Sequence, residues 1–135
     1  LYRRIVDAGH RIGNHTYSHQ KGWGMSLERY IEDVDFANDL LHTELFRPPY
    51  ARITPAQARA LAIRYKLVMW DVLSRDYNRA LSPRTCLRNV TRYLEGGSIV
   101  VFHDSEKSFR NMSYALPRTL QAVRDMGLKC KAIDL

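Results

Sequence analysis

The 135-residue sequence contains only two cysteines, Cys86 and Cys130, and they lie too far apart to form a paired motif. This spacing excludes a CxxC redox motif and a cysteine-based metal site. Because nothing indicates a dense disulfide framework, we expect two free thiols. The chain also lacks any run of about 18 apolar residues, which excludes a transmembrane helix within it. It begins at Leu1, without an initiator methionine or an apolar signal region, and we expect a processed or truncated start.

No run of five or six like charges occurs, although the net charge is +7 and the isoelectric point is about 9.7. The basic residues are scattered over the whole sequence. This distribution favours a solvated helical surface over a nucleic-acid interface. An anionic cell-wall polymer would also suit the charge, but composition alone supports that reading only weakly.

Apolar spacing and turn residues predict alternating helices and strands. The first helix covers residues 2–8 and ends at Gly9, and further helices begin at Ser26, at Thr54-Pro55 and at Ser82-Pro83. A loop is expected at 104–114 and a last helix at 116–126. Strands are expected at 11–14, 45–47, 67–72, 99–102 and 129–133. Short links between alternating elements predict an α/β fold with parallel strands, in a single domain of about five β/α units covering residues 1–135.

Polar side chains follow four consecutive predicted strands. The segments at these exits are His15-Thr16-Tyr17-Ser18-His19, Arg47-Pro48-Pro49-Tyr50, Ser74-Arg75-Asp76-Tyr77 and His103-Asp104. In parallel α/β folds, functional groups collect beyond the carboxyl ends of the strands. We therefore expect these four segments to meet at one rim.

His15 and His19 are the candidate metal ligands. They are four residues apart, so a helical turn between them would place both imidazoles on one side. A pair of this kind in a polar loop is by itself more often ordinary surface chemistry, but its place at a strand exit favours a ligand pair. A catalytic zinc site normally has three protein ligands. No convincing third ligand is present, and Asp104 is an unsupported candidate.

The other rim residues have roles that suit acid–base chemistry. His103 follows an apolar strand, so it is buried below and open above, as a general acid needs to be. Asp76 at the preceding exit would favour the charged form of that histidine. The guanidinium of Arg47 would hold a carboxylate in a fixed orientation. The less specific interpretations are a core histidine, a turn aspartate and a loop arginine. His10 and His42 receive no role.

These four segments, in this order, resemble the motifs of the carbohydrate esterase family 4 polysaccharide deacetylases, also called the NodB homology domain. The resemblance covers nearly the whole chain. It implies a distorted (β/α) barrel with fewer than eight regular strands. It further implies hydrolysis of acetyl groups on a sugar polymer, and an extracytoplasmic or cell-envelope location.

The resemblance also implies a role for each motif residue. His15 and His19 would bind a divalent metal, usually zinc, and Arg47 would orient the catalytic base. Tyr50 would offer its backbone N–H to the oxyanion. Asp76 would tune His103, which would protonate the leaving group. Val101 would help to line the pocket for the acetyl methyl group.

The sequence departs from the family pattern in three places. The family's first motif, a Thr-Phe-Asp-Asp-Gly-like strand end, is absent, and that motif supplies the general base and the third metal ligand. Ala51 stands where glycine often follows the tyrosine, and Leu73 takes the first acidic position of the fourth motif. We expect the last two changes to be tolerated, and we expect residues 1–135 alone to be inactive.

The leading functional hypothesis is hydrolysis of N-acetyl groups on glucosamine-containing polymers such as peptidoglycan or chitin-like chains. Removal of O-acetyl groups from xylan is the near alternative, and a non-catalytic sugar-binding barrel is the alternative from another class. A nucleic-acid partner is not expected. The polymer, the metal identity and the oligomeric state do not follow from the sequence.

Overall fold

The computed structural model describes residues 1–133. The chain divides into two compact units. Unit 1 comprises residues 1–69 together with 132–133, and unit 2 comprises residues 70–131. Helices alternate with short parallel strands within the units, so the predicted α/β class is confirmed. The barrel, its number of units and the single domain over 1–135 stay predictions.

Unit 1 contains three helices, two short strands and one 3₁₀ turn. They are α1 (Tyr2–Asp7), α2 (Leu27–Leu41), β1 (Leu45–Phe46), the 3₁₀ turn (Pro49–Ala51), α3 (Pro55–Ala62) and β2 (Lys66–Leu67). Strand β1 pairs in parallel with β2, with Leu45 opposite Lys66. Asn14 forms a further parallel bridge to Phe46. The strand predicted at 11–14 is therefore reduced to a single bridge, and Asn14 enters the sheet beside β1.

Helix starts in unit 1 follow the predicted capping residues. The Ser26 side chain accepts a hydrogen bond from the Arg29 N–H at the start of α2. Thr54 and Gln57 form a reciprocal capping box at the start of α3, with Pro55 at the first helical position. These local signals fix where α2 and α3 begin, and both predictions are confirmed.

A small apolar core holds unit 1 together. It consists of Tyr30, Val34, Phe46, Leu61 and Tyr65, all buried. Helices α2 and α3 supply most of it, because their apolar positions recur at the helical period. The predicted stripe of α2 is too wide, however, since Leu40 is 66% exposed.

Unit 2 contains two strands and two helices. They are β3 (Val72–Leu73), α4 (Pro83–Thr91), β4 (Val100–Val101) and α5 (Glu106–Asp125). Strands β3 and β4 are parallel, with Val72 opposite Val100, and α4 packs on α5. The Ser82 side chain caps α4 as predicted. No helix within residues 1–133 is long and apolar enough to cross a membrane.

The prediction of one continuous strand at 67–72 is wrong, because the structure has two separate short strands at its ends, β2 and β3. Its first part belongs to unit 1, where the Val68 N–H donates to the Phe46 carbonyl at 2.8 Å. Its last part belongs to unit 2, where Val72 N–H donates to the Ile99 carbonyl at 3.3 Å. The Asp71 carboxylate accepts from the Ile99 N–H at 2.6 Å. One apolar run thus forms two strands because its ends pair with different partners.

Helix α5 contains the helix predicted at 116–126 up to Asp125, but it begins earlier, at Glu106, and so covers most of the segment predicted as a loop at 104–114. Its buried positions include Ser108, Asn111, Ala115 and Thr119, which are small or polar and give no apolar periodicity. Pro117 lies inside the helix, where its missing N–H removes one bond. The strand predicted at 129–133 is also wrong, since these residues have no strand pairing.

The two cysteines, both free thiols as expected, differ sharply in environment. Cys86 is fully buried, while Cys130 is exposed. Burial, and next the nearby Asp76 carboxylate, raise the pKa of the Cys86 thiol from 9.0 to about 11. Because the thiolate is the nucleophile, the raised pKa together with burial makes the Cys86 thiol unreactive at neutral pH.

We therefore expect iodoacetamide to alkylate Cys130 rapidly in the native protein and Cys86 only after unfolding in urea. Mass spectrometry of peptides after timed labelling measures both rates. The Cys130→Ser variant is the control and should stay unlabelled in its native state. Equal labelling rates for the two thiols would contradict the buried position of Cys86.

Candidate active site

Backbone pairing in unit 1 brings His15 next to Arg47. The Asn14 N–H donates to the Leu45 carbonyl at 2.8 Å, and the Arg47 N–H donates to the Asn14 carbonyl at 2.9 Å. Asn14 is itself buried, and its amide donates to the Val34 carbonyl on α2 at 2.8 Å. The exits after Asn14 and after β1 are therefore adjacent, as the sequence predicted for this pair of exits.

A hydrogen bond determines the tautomer of His15. Its Nδ1 lies 2.5 Å from the Arg47 carbonyl oxygen. A carbonyl only accepts, so Nδ1 carries the proton, and in the neutral ring Nε2 then carries the lone pair. Histidine ligands to metals commonly donate their second ring N–H to a backbone carbonyl in this way, which orients the ring. His15 thus has the protonation pattern of a metal ligand.

His19 lies beside His15, although the segment between them is not helical. The ring centroids of the two histidines are 5.0 Å apart, and the His19 ring lies 5.0 Å from that of Tyr50. The loop is held by Asn14, whose side-chain oxygen accepts from the Thr16 N–H at 2.9 Å. Asp33 accepts from the Ser18 hydroxyl at 2.8 Å. The predicted pairing is observed, but a hydrogen-bonded loop produces it rather than a helical turn.

Left-handed backbone conformations concentrate at the predicted motifs. Six non-glycine residues within 1–133 have φ near +50° to +60°. One, His42, ends α2, and the other five are Thr16, His19, Tyr50, Ala51 and Arg75. Such residues are uncommon, and they persist where the surrounding structure holds them, often at functional sites. The φ of +57° at Ala51 also gives a physical reason why glycine suits this position.

The Arg47–Tyr50 segment presents a guanidinium and an exposed backbone donor. The Nε of Arg47 donates to the Val68 carbonyl at 2.9 Å, and burial lowers the pKa of this half-buried guanidinium. Arginine nevertheless stays protonated at neutral pH. Within the described residues no backbone hydrogen bond is found from the Tyr50 N–H, whereas the N–H groups of Ala51 and Arg52 donate to the carbonyls of Pro48 and Pro49. The Tyr50 N–H is therefore available as a donor.

In unit 2 the Asp76 carboxylate is completely buried and binds His103 at two points. One oxygen lies 2.7 Å from His103 Nδ1, and the other accepts from the His103 backbone N–H at 2.7 Å. The first oxygen also accepts from the Tyr77 N–H at 3.0 Å. The His103 side chain is 38% exposed, so its ring is fixed at one nitrogen and reaches solvent. This arrangement suits a general acid, because the carboxylate orients the imidazole while the rest of the ring can reach a substrate.

Asn111 supports this pair and was not identified from the sequence. Its buried amide donates to the Asp76 carbonyl at 3.0 Å and to the Asn78 carbonyl at 3.1 Å. Residue 111 fell within the predicted loop, so no signal placed it under the Asp76 segment. The spacing of Ser108, Asn111, Ala115 and Thr119 is helical, but only a pattern of small and polar residues reveals it.

The remaining candidates are less constrained. Val101 is a half-buried residue of β4 whose carbonyl accepts from the Ser74 N–H at 3.2 Å, and its role at a methyl pocket stays a prediction. Asp104 is exposed. Within residues 1–133 no group of three His, Cys, Asp or Glu side chains is placed to hold a metal ion, and the role of His15 and His19 as metal ligands stays a prediction. The gathering of all four exits at one rim stays a prediction.

The family model for polysaccharide deacetylase matches residues 1–69. The chain is 30% identical over 112 residues to a peptidoglycan-N-acetylglucosamine deacetylase of Bacillus cereus, covering 78% of this chain and 40% of that protein. It is 27% identical over 130 residues to a bifunctional xylanase/xylan deacetylase of Cellvibrio japonicus, covering 91% of this chain and 19% of that protein. The chain thus spans less than half the length of both relatives.

A solved structure with a similar fold is the family 4 carbohydrate esterase from Streptomyces lividans in complex with acetate. Its TM-score is 0.85 and its identity 27%, with 98% of this chain and 70% of that chain covered. The similarity therefore extends through both units, including the segments that contain His103 and Asp76. The family-model match alone covers unit 1.

Replacement of Asn111 is expected to loosen the Asp76 segment. Asn111→Ala leaves two backbone carbonyls without their donor, which costs about 1–3 kcal/mol of unfolding free energy. Urea unfolding measures this loss, and the NMR signals of the His103 ring should broaden or move. Ser113→Ala, at an exposed position on the same helix, is the control. Unchanged His103 signals in Asn111→Ala would contradict the supporting role.

Proposed function

This chain belongs to the polysaccharide deacetylase family, and from that premise we propose that it hydrolyses acetyl groups on N-acetylated glucosamine polymers. The family model matches 69 of the 135 residues, and the relatives of known name are deacetylases. The observation that carries the proposal is the Asp76–His103 pair, with an imidazole held by a buried carboxylate and open to solvent. That arrangement serves to protonate a leaving group.

We propose that His15 and His19 hold a divalent metal, most simply zinc. The donor set supports this, because His15 Nδ1 is engaged by a carbonyl and His19 lies at ring-contact distance. When bound, such a metal supplies Lewis acidity that polarises the acetyl carbonyl and activates water. Since no third ligand joins the pair among residues 1–133, we propose that the rest of the site lies outside them.

The other motif residues are assigned by what their atoms offer. The Tyr50 N–H donates to the oxyanion that forms when water attacks the acetyl carbonyl. Arg47, fixed by its bond to the Val68 carbonyl, orients the carboxylate that acts as general base. His103 then transfers a proton to the departing amine, which is a poor leaving group as an anion. Val101 contacts the acetyl methyl group.

O-acetylated xylan is the second candidate substrate, because one relative is a bifunctional xylanase/xylan deacetylase. The same residues would serve an ester, since both reactions pass through a tetrahedral oxyanion. We also propose the distorted (β/α) barrel for the whole domain. An extracytoplasmic or cell-envelope location agrees with a peptidoglycan-acting relative.

Metal content is expected to depend on both histidines. His15→Ala and His19→Ala, made in the full-length protein, should each lose most bound zinc, because a site with one ligand fewer binds far more weakly. Mass spectrometry of the dialysed protein for metals measures the zinc content. His10→Ala, an exposed histidine without a role, is the matched control and should retain it. Full zinc content in both site variants would refute the assignment.

Acetate release tests the catalytic role of His103. In the full-length protein, His103→Ala should lower kcat on N-acetylated chito-oligosaccharides by about 10²–10⁴-fold, the usual contribution of a general acid. The matched control is His42→Ala, which changes the exposed histidine at the end of α2. If His103→Ala retains wild-type kcat, another group donates the proton. Robust release by residues 1–135 alone would show that the general base lies within them.

A further inference from the structure

An open cleft in unit 1 extends beside the His15–His19 pair. It has a volume of about 450 Å³ and is lined by Ser18, His19, Gln20, Lys21, Tyr50 and Arg52. This volume lies within the roughly 300–1,000 Å³ that small-ligand sites occupy. His19 and Tyr50 belong to the proposed catalytic site, so the cleft adjoins the place where the acetyl group reacts. Lys21 and Arg52 make the rest of its lining basic.

Neither cation of the cleft, Lys21 or Arg52, forms an ion pair with a carboxylate of residues 1–133. Elsewhere in unit 1, Arg64 pairs with Asp35 at 2.8 Å. Two uncompensated cations beside one cleft create a positive potential there, which attracts a negatively charged ligand group.

The guanidinium of Arg52 is held by an aromatic ring rather than by an anion. Its central carbon lies 5.2 Å from the centre of the Trp23 ring, and the indole N–H donates to the Ile53 carbonyl at 3.3 Å. A contact of this kind is an attraction to the aromatic ring and does not require the N–H donors of the guanidinium to be bonded. Its N–H donors lie in the plane of the group, so they remain able to bind an anion.

Hydrogen bonds join the two backbone segments that carry Lys21 and Arg52. The Gly22 N–H donates to the Arg52 carbonyl at 2.6 Å, and buried Gln57 donates to the carbonyls of Gly22 and Met25 at 3.0 and 3.3 Å. A Cβ at position 22 would overlap the Gln57 side-chain oxygen and lie 3.0 Å from the Arg52 carbonyl oxygen, so this close approach favours glycine. The segments that carry Lys21 and Arg52 are therefore held beside each other.

We propose that this cleft binds a carboxylate of the sugar polymer and that Lys21 and Arg52 determine specificity for acidic polysaccharides. The inference rests on the proposed function, because it places the carboxylate on a sugar unit near the acetyl group that reacts. Arginine is matched to carboxylates by its planar pair of donors, and lysine adds a mobile second charge. A neutral polymer would leave both cations without a partner.

Two kinds of sugar carry such a carboxylate. One bears it on a lactyl ether substituent, as in peptidoglycan-type chains, and the other is a hexuronic acid attached to a xylan-type chain. Both kinds of sugar carry a carboxylate, so the structure of the cleft does not choose between them. Testing substrates of each kind shows which of the two sugars supplies the carboxylate that binds.

The test compares matched substrates with the zinc-loaded full-length protein. One arm uses N-acetylated oligosaccharides whose alternate units bear lactyl carboxylates, and the other uses O-acetylated xylo-oligosaccharides bearing a uronic acid. Each arm includes the same oligosaccharide with its carboxylate converted to a carboxamide. Acetate release gives kcat and KM. The carboxylate form should have the lower KM in at least one arm, and added salt should reduce that preference.

Lys21→Gln and Arg52→Gln identify the residues responsible. Each should raise KM for the preferred carboxylate substrate about two- to fivefold, which is the range for exposed ion pairs. The value of kcat should stay unchanged, because the contact is made equally in the ground and transition states. KM for the carboxamide should also stay constant. Arg59→Gln, at an exposed position of α3 outside the cleft lining, is the matched control.

The outcomes separate this inference from the proposed function. Acetate release with equal KM for carboxylate and carboxamide in both arms overturns the inference and leaves the proposed function intact. If no substrate releases acetate, the proposed function fails, and calorimetry with the same oligosaccharides decides the inference. Binding of the carboxylate form that weakens in Lys21→Gln and Arg52→Gln supports it. Equal affinity for carboxylate and carboxamide overturns it.

Discussion

The buried carboxylate of Asp76 has to be matched by hydrogen-bond donors, because an unpaired charge in an apolar interior is very costly. Its donors come from the Tyr77 N–H and from the backbone and ring of His103. The same bonds that satisfy the carboxylate also fix the position and tautomer of the proposed acid. In unit 2, the need to satisfy the buried Asp76 carboxylate with hydrogen bonds therefore also determines the geometry of the Asp76–His103 pair.

In unit 1, buried neutral amides rather than a buried carboxylate position the loops of the site through their hydrogen bonds. Buried Asn14 joins α2 to the loop that carries His15 and His19, and buried Gln57 joins α3 to the wall of the cleft. These two amides each hold a loop segment through a few hydrogen bonds, whereas the strands β1 and β2 are only two residues long. Left-handed residues such as His19 and Tyr50 can persist because this polar framework holds them. Strands position the loops, and buried amides give them their shape.

The sequence predicts the features that depend on local chemistry. Helix starts at Ser26, Thr54 and Ser82 follow from capping residues, and the site segments follow from polar residues after apolar runs. Features that depend on distant partners are not predictable in this way. The run at 67–72 is apolar except for Asp71, yet its two ends pair with different strands that lie far away in the sequence. The first half of helix α5 was not predicted because its buried face begins with Ser108 and Asn111, which are not apolar.

The charge of the chain also has one aspect that the sequence reveals and another that depends on residues distant in the sequence. A net charge of +7 from scattered residues describes the surface as a whole and favours anionic partners only in a general way. Lys21 and Arg52 are 31 positions apart in the sequence, and nothing local relates them. Gly22 and Gln57 bring their backbones together beside His19, so two charges among twenty-one acquire a specific position. Specificity for a charged substrate arises from that placement, because a charge selects between ligands only where the ligand's own charge is held close to it.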